Sequence, residues 1–262
     1  MNSFIIPPSL RSGDKIGIIS PSDLIEKKDL EKSILIVKSW DLEVVMGEHI
    51  FDQEQGFAAG SPEDRYSDLK KMVFDDDIKM IWCSSGGFAI TQLWPLIEKE
   101  FIGKLRSNPK IIMGYSDICI LSHMWFCNGV GSIHGPNMAG LSDLDEESIA
   151  WTKKILFGEI DKKEPLISDG VTIREGKGVG RLLCSNLDSL VACFGTKYDP
   201  LDGEGDLILG IEEFEQFKSD IQRQIDMIMG HKRADRIKGF ILGKFRNLKF
   251  DEEYSDWYAK NE

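Results

Sequence analysis

The feature that most constrains this chain is an alternation of short apolar runs with longer segments of helical spacing. Ile16 to Ser20 is an apolar run of strand length, and Asp23 to Trp40 then carries apolar residues at helical intervals, with Ser22 in a capping position. Leu42 to Met46 predicts a second strand, Ser61 to Phe74 a helix opened by Ser61-Pro62-Glu63-Asp64, and Met80 to Cys83 a third strand. A helix from Ala89 to Lys99, a strand at Ile111 to Met113, a helix from Asp117 to Phe126 and a strand around Ser132 extend the series. Short, continuously apolar strands separated by helices belong to parallel sheets covered on both faces. The expectation is a doubly wound α/β domain over residues 1–158, its sheet mostly parallel with helices on both faces.

Residues 159–178 are charged, contain Pro165 and several glycines, and follow neither period, which reads as a linker. Beyond it the alternation resumes: a strand at Val179 to Cys184, a helix at Leu187 to Phe194, a strand at Leu207 to Ile211, a helix at Phe217 to Met229 and a strand at Phe240 to Leu242. A smaller α/β domain is therefore expected over 179–262.

Composition narrows the function classes. With 42% hydrophobic and 29% charged residues, the chain has the makings of a globular core. A formal net charge of −12 works against a sequence-independent grip on nucleic acid or an anionic membrane, since both need a surplus of Lys and Arg. Neither is expected as a partner. Pro7 and Pro8 interrupt the place where the apolar part of an export signal would lie, and no run approaches the roughly 18 apolar residues that span a bilayer. A cytoplasmic location is expected. Cys83, Cys119, Cys127, Cys184 and Cys193 show no Cys-x-x-Cys spacing and are expected to be buried free thiols. His49, His123, His134 and His231 form no His-x-x-x-His pair, so neither a metal nor another cofactor is expected. A nucleotide-binding reading is weak, because the first strand runs into Ser20-Pro21-Ser22 rather than a glycine-rich phosphate loop.

The most informative chemistry lies at Ile111-Ile112-Met113-Gly114-Tyr115-Ser116-Asp117-Ile118, where an apolar strand runs through Ser116 directly into a helix. Ser116 either caps that helix or is a nucleophile, presented where free N–H groups and the positive dipole end would stabilise an oxyanion. Ser84-Ser85-Gly86-Gly87-Phe88 ends the neighbouring strand. It is either an ordinary glycine turn or one side of an oxyanion hole, since glycine lets a substrate carbonyl approach the backbone closely.

The order of further motifs carries a family resemblance. Pro8-Ser9-Leu10, Gly13-Asp14, Ser20-Pro21-Ser22, Gly60-Ser61-Pro62-Glu63-Asp64-Arg65 and Ser85-Gly86-Gly87 with Gln92-Leu93-Trp94-Pro95 come first. Gly114-Tyr115-Ser116-Asp117, His134-Gly135-Pro136, Gly180-Arg181-Leu182, Asn186-Leu187, Gly195-Thr196, Ile211-Glu212-Glu213 and Gly239-Phe240-Ile241-Leu242-Gly243 follow in sequence. Together they resemble the LD-carboxypeptidase family of serine peptidases, from about Pro8 to about Phe245. The resemblance implies Ser-His-Glu chemistry with Ser116 as nucleophile, Glu212 as the acid that orients the histidine, and the amides of Gly87 and Asp117 as oxyanion hole. It implies small peptide substrates bearing a free carboxylate, either murein tetrapeptides or peptidyl nucleotides of the microcin C type, and leaves a homodimer open. In the family the triad histidine lies beyond the strand that Gly239 to Gly243 resembles, whereas this sequence has no histidine after His231. The second domain therefore reads as shortened, and a homologue that binds peptide without hydrolysing it is the alternative expectation. His231 is expected as a solvated helix-end residue and His134 as a support for the turn at Gly135-Pro136.

Overall fold

The structure, a computed structural model, describes residues 4–54, 56–160 and 170–249. They divide into two compact units, the first ending at Arg174 and the second beginning at Glu175. Of the expected linker, residues 161–169 lie outside the described residues, as do residues 250–262 of the expected second domain.

The first unit opens with β1 (Lys15–Ile19), α1 (Lys27–Ser39), β2 (Glu43–Met46) and the antiparallel pair β3 (Gln53–Glu54) and β4 (Ala58–Ala59). It continues through α2 (Pro62–Phe74), β5 (Ile78–Cys83), a 3-10 turn (Ile90–Leu96), α3 (Lys99–Ser107), β6 (Ile111–Gly114) and α4 (Ile118–Cys127). β7 (Ile133–His134), a second 3-10 turn (Met138–Asp143) and α5 (Glu146–Phe157) complete it. The main sheet has the order β2-β1-β5-β6-β7, every pair parallel. Strand order reverses between β1 and β5, and in open parallel sheets such a switch point opens a crevice at the carboxyl ends of the strands.

Both faces of the sheet are covered, which is why its strands read as unbroken apolar runs. Ile16 and Ile18 of β1, Met80 and Trp82 of β5, and Ile111 and Met113 of β6 form one core cluster with Leu30 and Val37 of α1 and Leu156 of α5. On the other face α2 packs so closely that a Cβ on Gly17 would lie 2.4 Å from the Met72 sulfur.

The second unit holds β8 (Arg181–Asn186), α6 (Leu187–Ala192), β9 (Leu207–Phe214), α7 (Lys218–Met229) and β10 (Ile237–Arg246), with the parallel order β10-β9-β8. The α/β class with a smaller second sheet is the one read from the alternation. Among the described residues no helix is long and apolar enough to cross a membrane.

Several local expectations are corrected. α1 starts at Lys27, where the Glu26 amide donates to Asp29 Oδ2 (2.9 Å), and Ser22 is not its cap. The helix expected from Ala89 is a 3-10 turn containing Pro95, with a separate helix α3 behind it. α5, capped by Asp145 and ended by Gly158 at φ +70°, has no counterpart in the sequence reading. β9 and β10 run further than expected, and Cys127 is exposed rather than buried.

Candidate active site

Ser116 occupies the link between β6 and α4. The turn has to start on glycine: a Cβ on Gly114 would stand 2.6 Å from Ile118 Cγ2 and 2.7 Å from Asn137 Oδ1. Asn137 Oδ1 instead accepts from the Tyr115 amide at 3.0 Å, holding the departing strand end. Ser116 then adopts φ +63°, a left-handed conformation that residues with side chains seldom take and that tends to mark functional turns. Asp117 is already helical at φ −53° and ψ −26° and is the N-cap residue, while Ser116 O accepts from Cys119 N at 2.9 Å. The cap position thus belongs to Asp117, and the half-buried Ser116 sits one residue ahead of it.

The glycine pair meets this elbow from β5. A Cβ on Gly86 would lie 2.8 Å from Ser116 Cβ and 2.9 Å from its Oγ, so the bare backbone of Gly86 is what lets the two loops touch. Gly87 has φ +139°, and a Cβ there would collide with Asp23 Oδ1 at 1.9 Å and Ser22 Oγ at 2.6 Å. Among the described residues neither the Gly87 amide nor the Asp117 amide donates to another protein group.

Beneath the turn lies a buried polar floor that the sequence did not reveal. The Asp117 carboxylate, 6% exposed, accepts at Oδ2 from Ser22 Oγ (2.6 Å), Ala89 N (2.9 Å) and Ile90 N (3.1 Å). Burial raises its pKa, with these three bonds opposing. Arg65 of α2, 1% exposed, donates from Nη1 to Pro21 O (3.0 Å) and Ala89 O (2.9 Å), and from Nη2 to Gln92 Oε1. The only signal was motif membership: Ser20-Pro21-Ser22, Arg65 and Gln92 all belong to the segments that carry the resemblance, but nothing in their spacing assigns them partners.

In the second unit Glu212 lies on β9, which continues past it to Phe214, so it is not the strand end. Its neighbour Glu213 is 3% exposed and saturated: Oε1 accepts from Asn186 Nδ2 (2.7 Å) and Phe214 N (2.9 Å), Oε2 from Asp188 N (2.9 Å). Glu212 is half-buried, and burial, then the Glu213 charge, push its carboxyl up to about 7 against the opposing Asn186 bond. Ser116, Gly87 and Asp117 therefore gather in the first unit, and Glu212 belongs to the second.

The histidines are all engaged elsewhere. His231 is not solvated: its side chain is 8% exposed, with Nε2 3.1 Å from Asp199 Oδ2 and its ring 4.9 Å from that of Phe194. His134 Nδ1 lies 3.3 Å from Cys119 Sγ and burial pushes its pKa down to about 4. The turn His134 was expected to support is held by Gly135 N on Gly114 O (3.2 Å) and by Trp82 Nε1 on Pro136 O (2.8 Å). His123 is wholly buried, which, with His134 nearby, pushes it down to about 3. His49, Asp52 and Asp64 bring ligand-type atoms within 4.8 Å of one another, but His49 Nδ1 is bonded to Asp52 Oδ2 (2.7 Å) and Asp64 Oδ2 to Ser61, an arrangement of ion pairs and caps.

The first unit thus carries a serine on a left-handed strand-to-helix elbow, pressed against a glycine pair at the carboxyl edge of its parallel sheet. The LD-carboxypeptidase N-terminal domain matches residues 16–135 and the LD-carboxypeptidase C-terminal domain residues 179–261. The chain belongs to the LD-carboxypeptidase family and is an LD-carboxypeptidase-like peptidase by that membership. It is 30% identical over 250 residues to the "probable murein peptide carboxypeptidase" of Bacillus subtilis, covering 92% of this chain and 75% of that one. The microcin C7 self-immunity protein MccF of Escherichia coli is 23% identical over 276 residues, covering 92% of this chain and 78% of its own. A structure of MccF in complex with glutamyl sulfamoyl guanosine superposes with TM-score 0.78 at 21% identity, covering 93% of this chain and 81% of that one. The muramoyltetrapeptide carboxypeptidase of Oxalobacter formigenes has TM-score 0.74 at 22% identity, covering 94% and 84%.

Proposed function

We propose that the protein is a serine-type LD-carboxypeptidase-like hydrolase acting on peptide amides that carry a free carboxylate. Ser116 Oγ attacks the scissile carbonyl carbon and gives up its proton to a base. The oxyanion is held by the amides of Gly87 and Asp117, the C–N bond breaks as the leaving amine takes the proton, and water releases the acyl group. In this scheme Glu212 is the acid that orients the base, and the substrate class is murein tetrapeptides or peptidyl nucleotides of the microcin C type. The observation that carries the reading is the left-handed Ser116 with Gly86 pressed against its side chain. A strained serine turn backed by side-chain-free peptide groups suits attack on a carbonyl better than it suits helix capping.

One observation favours a second reading, a homologue that binds the peptide without cutting it. His49, His123, His134 and His231 are each committed to a carboxylate or a buried position. Loss of one triad member lowers turnover by roughly 10⁴ to 10⁶. The test is release of the terminal D-residue from an LD-tetrapeptide by the purified 262-residue chain and by its Ser116→Ala variant. Ordinary peptidase rates lost on Ser116→Ala support hydrolysis. Tetrapeptide binding with marginal turnover supports the second reading, and the absence of both overturns the two together.

A further inference from the structure

We infer that the Asp117 side chain is a positioning residue that fixes the glycine-pair loop against Ser116 and so sets the geometry of the oxyanion site. The inference rests on the functional reading above and concerns the carboxylate, whereas that reading uses only the Asp117 amide.

The residue that opens α4 would ordinarily turn its side chain back onto its own first turn. Asp117 makes no such bond. Its Oδ2 reaches across to two other loops, taking Ser22 Oγ from the loop after β1 and the amides of Ala89 and Ile90 from the loop after β5. Ser22 Oγ closes the triangle by accepting from Ala89 N at 3.1 Å. One oxygen therefore ties together the three strand ends at the switch point, and it does so directly behind the elbow. The two residues ahead of Ala89 are Gly87 and Phe88, so the backbone carrying the Gly87 amide is pinned two residues from an anchor on Asp117. On its other side Asp23 N donates to Gly86 O at 3.1 Å.

An ionised carboxylate with so little exposure needs compensation. Three hydrogen bonds to Oδ2 supply it against burial and the nearby Asp23 charge, while Arg65 separately ties the same two loops through Pro21 O and Ala89 O. Donors that stabilise a developing charge act through preorganisation, and a displacement of about 1 Å can lower rate roughly a hundredfold. The Asp117 carboxylate provides that preorganisation, with no contact to the reacting atoms required.

The test compares two ligands that differ at the reacting centre: the intact LD-tetrapeptide and its non-cleavable phosphonate analogue, whose tetrahedral oxyanion needs the oxyanion site. Calorimetric affinities are measured for the native chain, Asp117→Ala and Asp117→Asn, the tetrapeptide being titrated into the same three chains carrying Ser116→Ala so that it is not turned over. An asparagine oxygen can occupy the place of Oδ2 and accept the same three bonds. Asp117→Ala is expected to weaken the phosphonate by roughly tenfold or more while moving the tetrapeptide by less than about threefold, with Asp117→Asn recovering most of the loss. A purely structural role would weaken both ligands alike, and that result, or an Asp117→Ala chain that binds the phosphonate as the native chain does, overturns the inference. Failure of the functional reading looks different: a native chain that binds neither ligand, which would remove both.

Discussion

Gly86 and Ser116 meet with no room for another atom, and the consequence can be isolated because Gly86 does not need a left-handed backbone. Gly86→Ala should therefore act through space alone, driving a methyl into Ser116 Cβ and Oγ. We expect a stability loss of about 1–2 kcal/mol, and a fall in kcat of roughly a hundredfold wherever turnover is measurable. Denaturant unfolding and steady-state kinetics check the two effects, and an alanine variant with native kcat would show that the loops separate freely. Glu212 gives a pH-dependent expectation. Its carboxyl is pushed up from the ordinary 4.5 to about 7, so the folded chain holds the proton more tightly than the unfolded chain. The stability this contributes is complete below about 4.5 and is lost as pH rises through 7. Glu212→Gln, which cannot ionise, should melt with the native chain at pH 4 and above it at pH 8. A variant less stable than the native chain at pH 8 would mean that the ionised carboxylate is favourably held.

At the scale of elements, α2 was legible from the chemistry of its own start, whereas α5, with Asp145 and Gly158 at its ends, was not. Ser61-Pro62-Glu63-Asp64 announces α2, and its Ser61 Oγ accepts from Asp64 N at 3.1 Å while Asp64 Oδ2 returns to Ser61 N at 3.1 Å. Ser61→Ala should cost about 1 kcal/mol in urea unfolding, and a loss below a few tenths would show the reciprocal Asp64 bond to be sufficient. Ser22 misled because a hydroxyl before a helical pattern has the same sequence signature whether it caps or points elsewhere. Here it is drawn to Asp117, 95 residues away. Ala89 to Lys99 misled because its apolar spacing is compatible with a helix, whereas Pro95 and the following acid-rich stretch divide it into a 3-10 turn and α3. The elbow itself was legible because strand, Gly-Tyr-Ser-Asp and helix are contiguous. The floor was not, since Ser22, Arg65, Ala89 and Asp117 are joined only by the topology of three strand ends.

For the whole molecule, the alternation of apolar runs was enough to predict the sheet class, but the switch point between β1 and β5 depends on strand order, which no local pattern encodes. Charge is the property of the whole chain that sequence does state outright: 44 acidic against 32 basic side chains, a formal charge of −12. A substrate defined by free carboxylates is itself anionic, so under the proposed function capture takes place against a like-charged field. That repulsion acts over the Debye length, about 30 Å at 0.01 M salt and about 8 Å at 0.15 M. Raising the salt from 0.01 M to 0.15 M should therefore speed association of an LD-tetrapeptide by roughly twofold or more, with little change in its dissociation rate. Stopped-flow binding to the Ser116→Ala chain measures this without turnover. Association that slows with salt would instead reveal a local positive field at the site strong enough to override the net charge, and would direct the search for the substrate's carboxylate partner to Lys and Arg side chains.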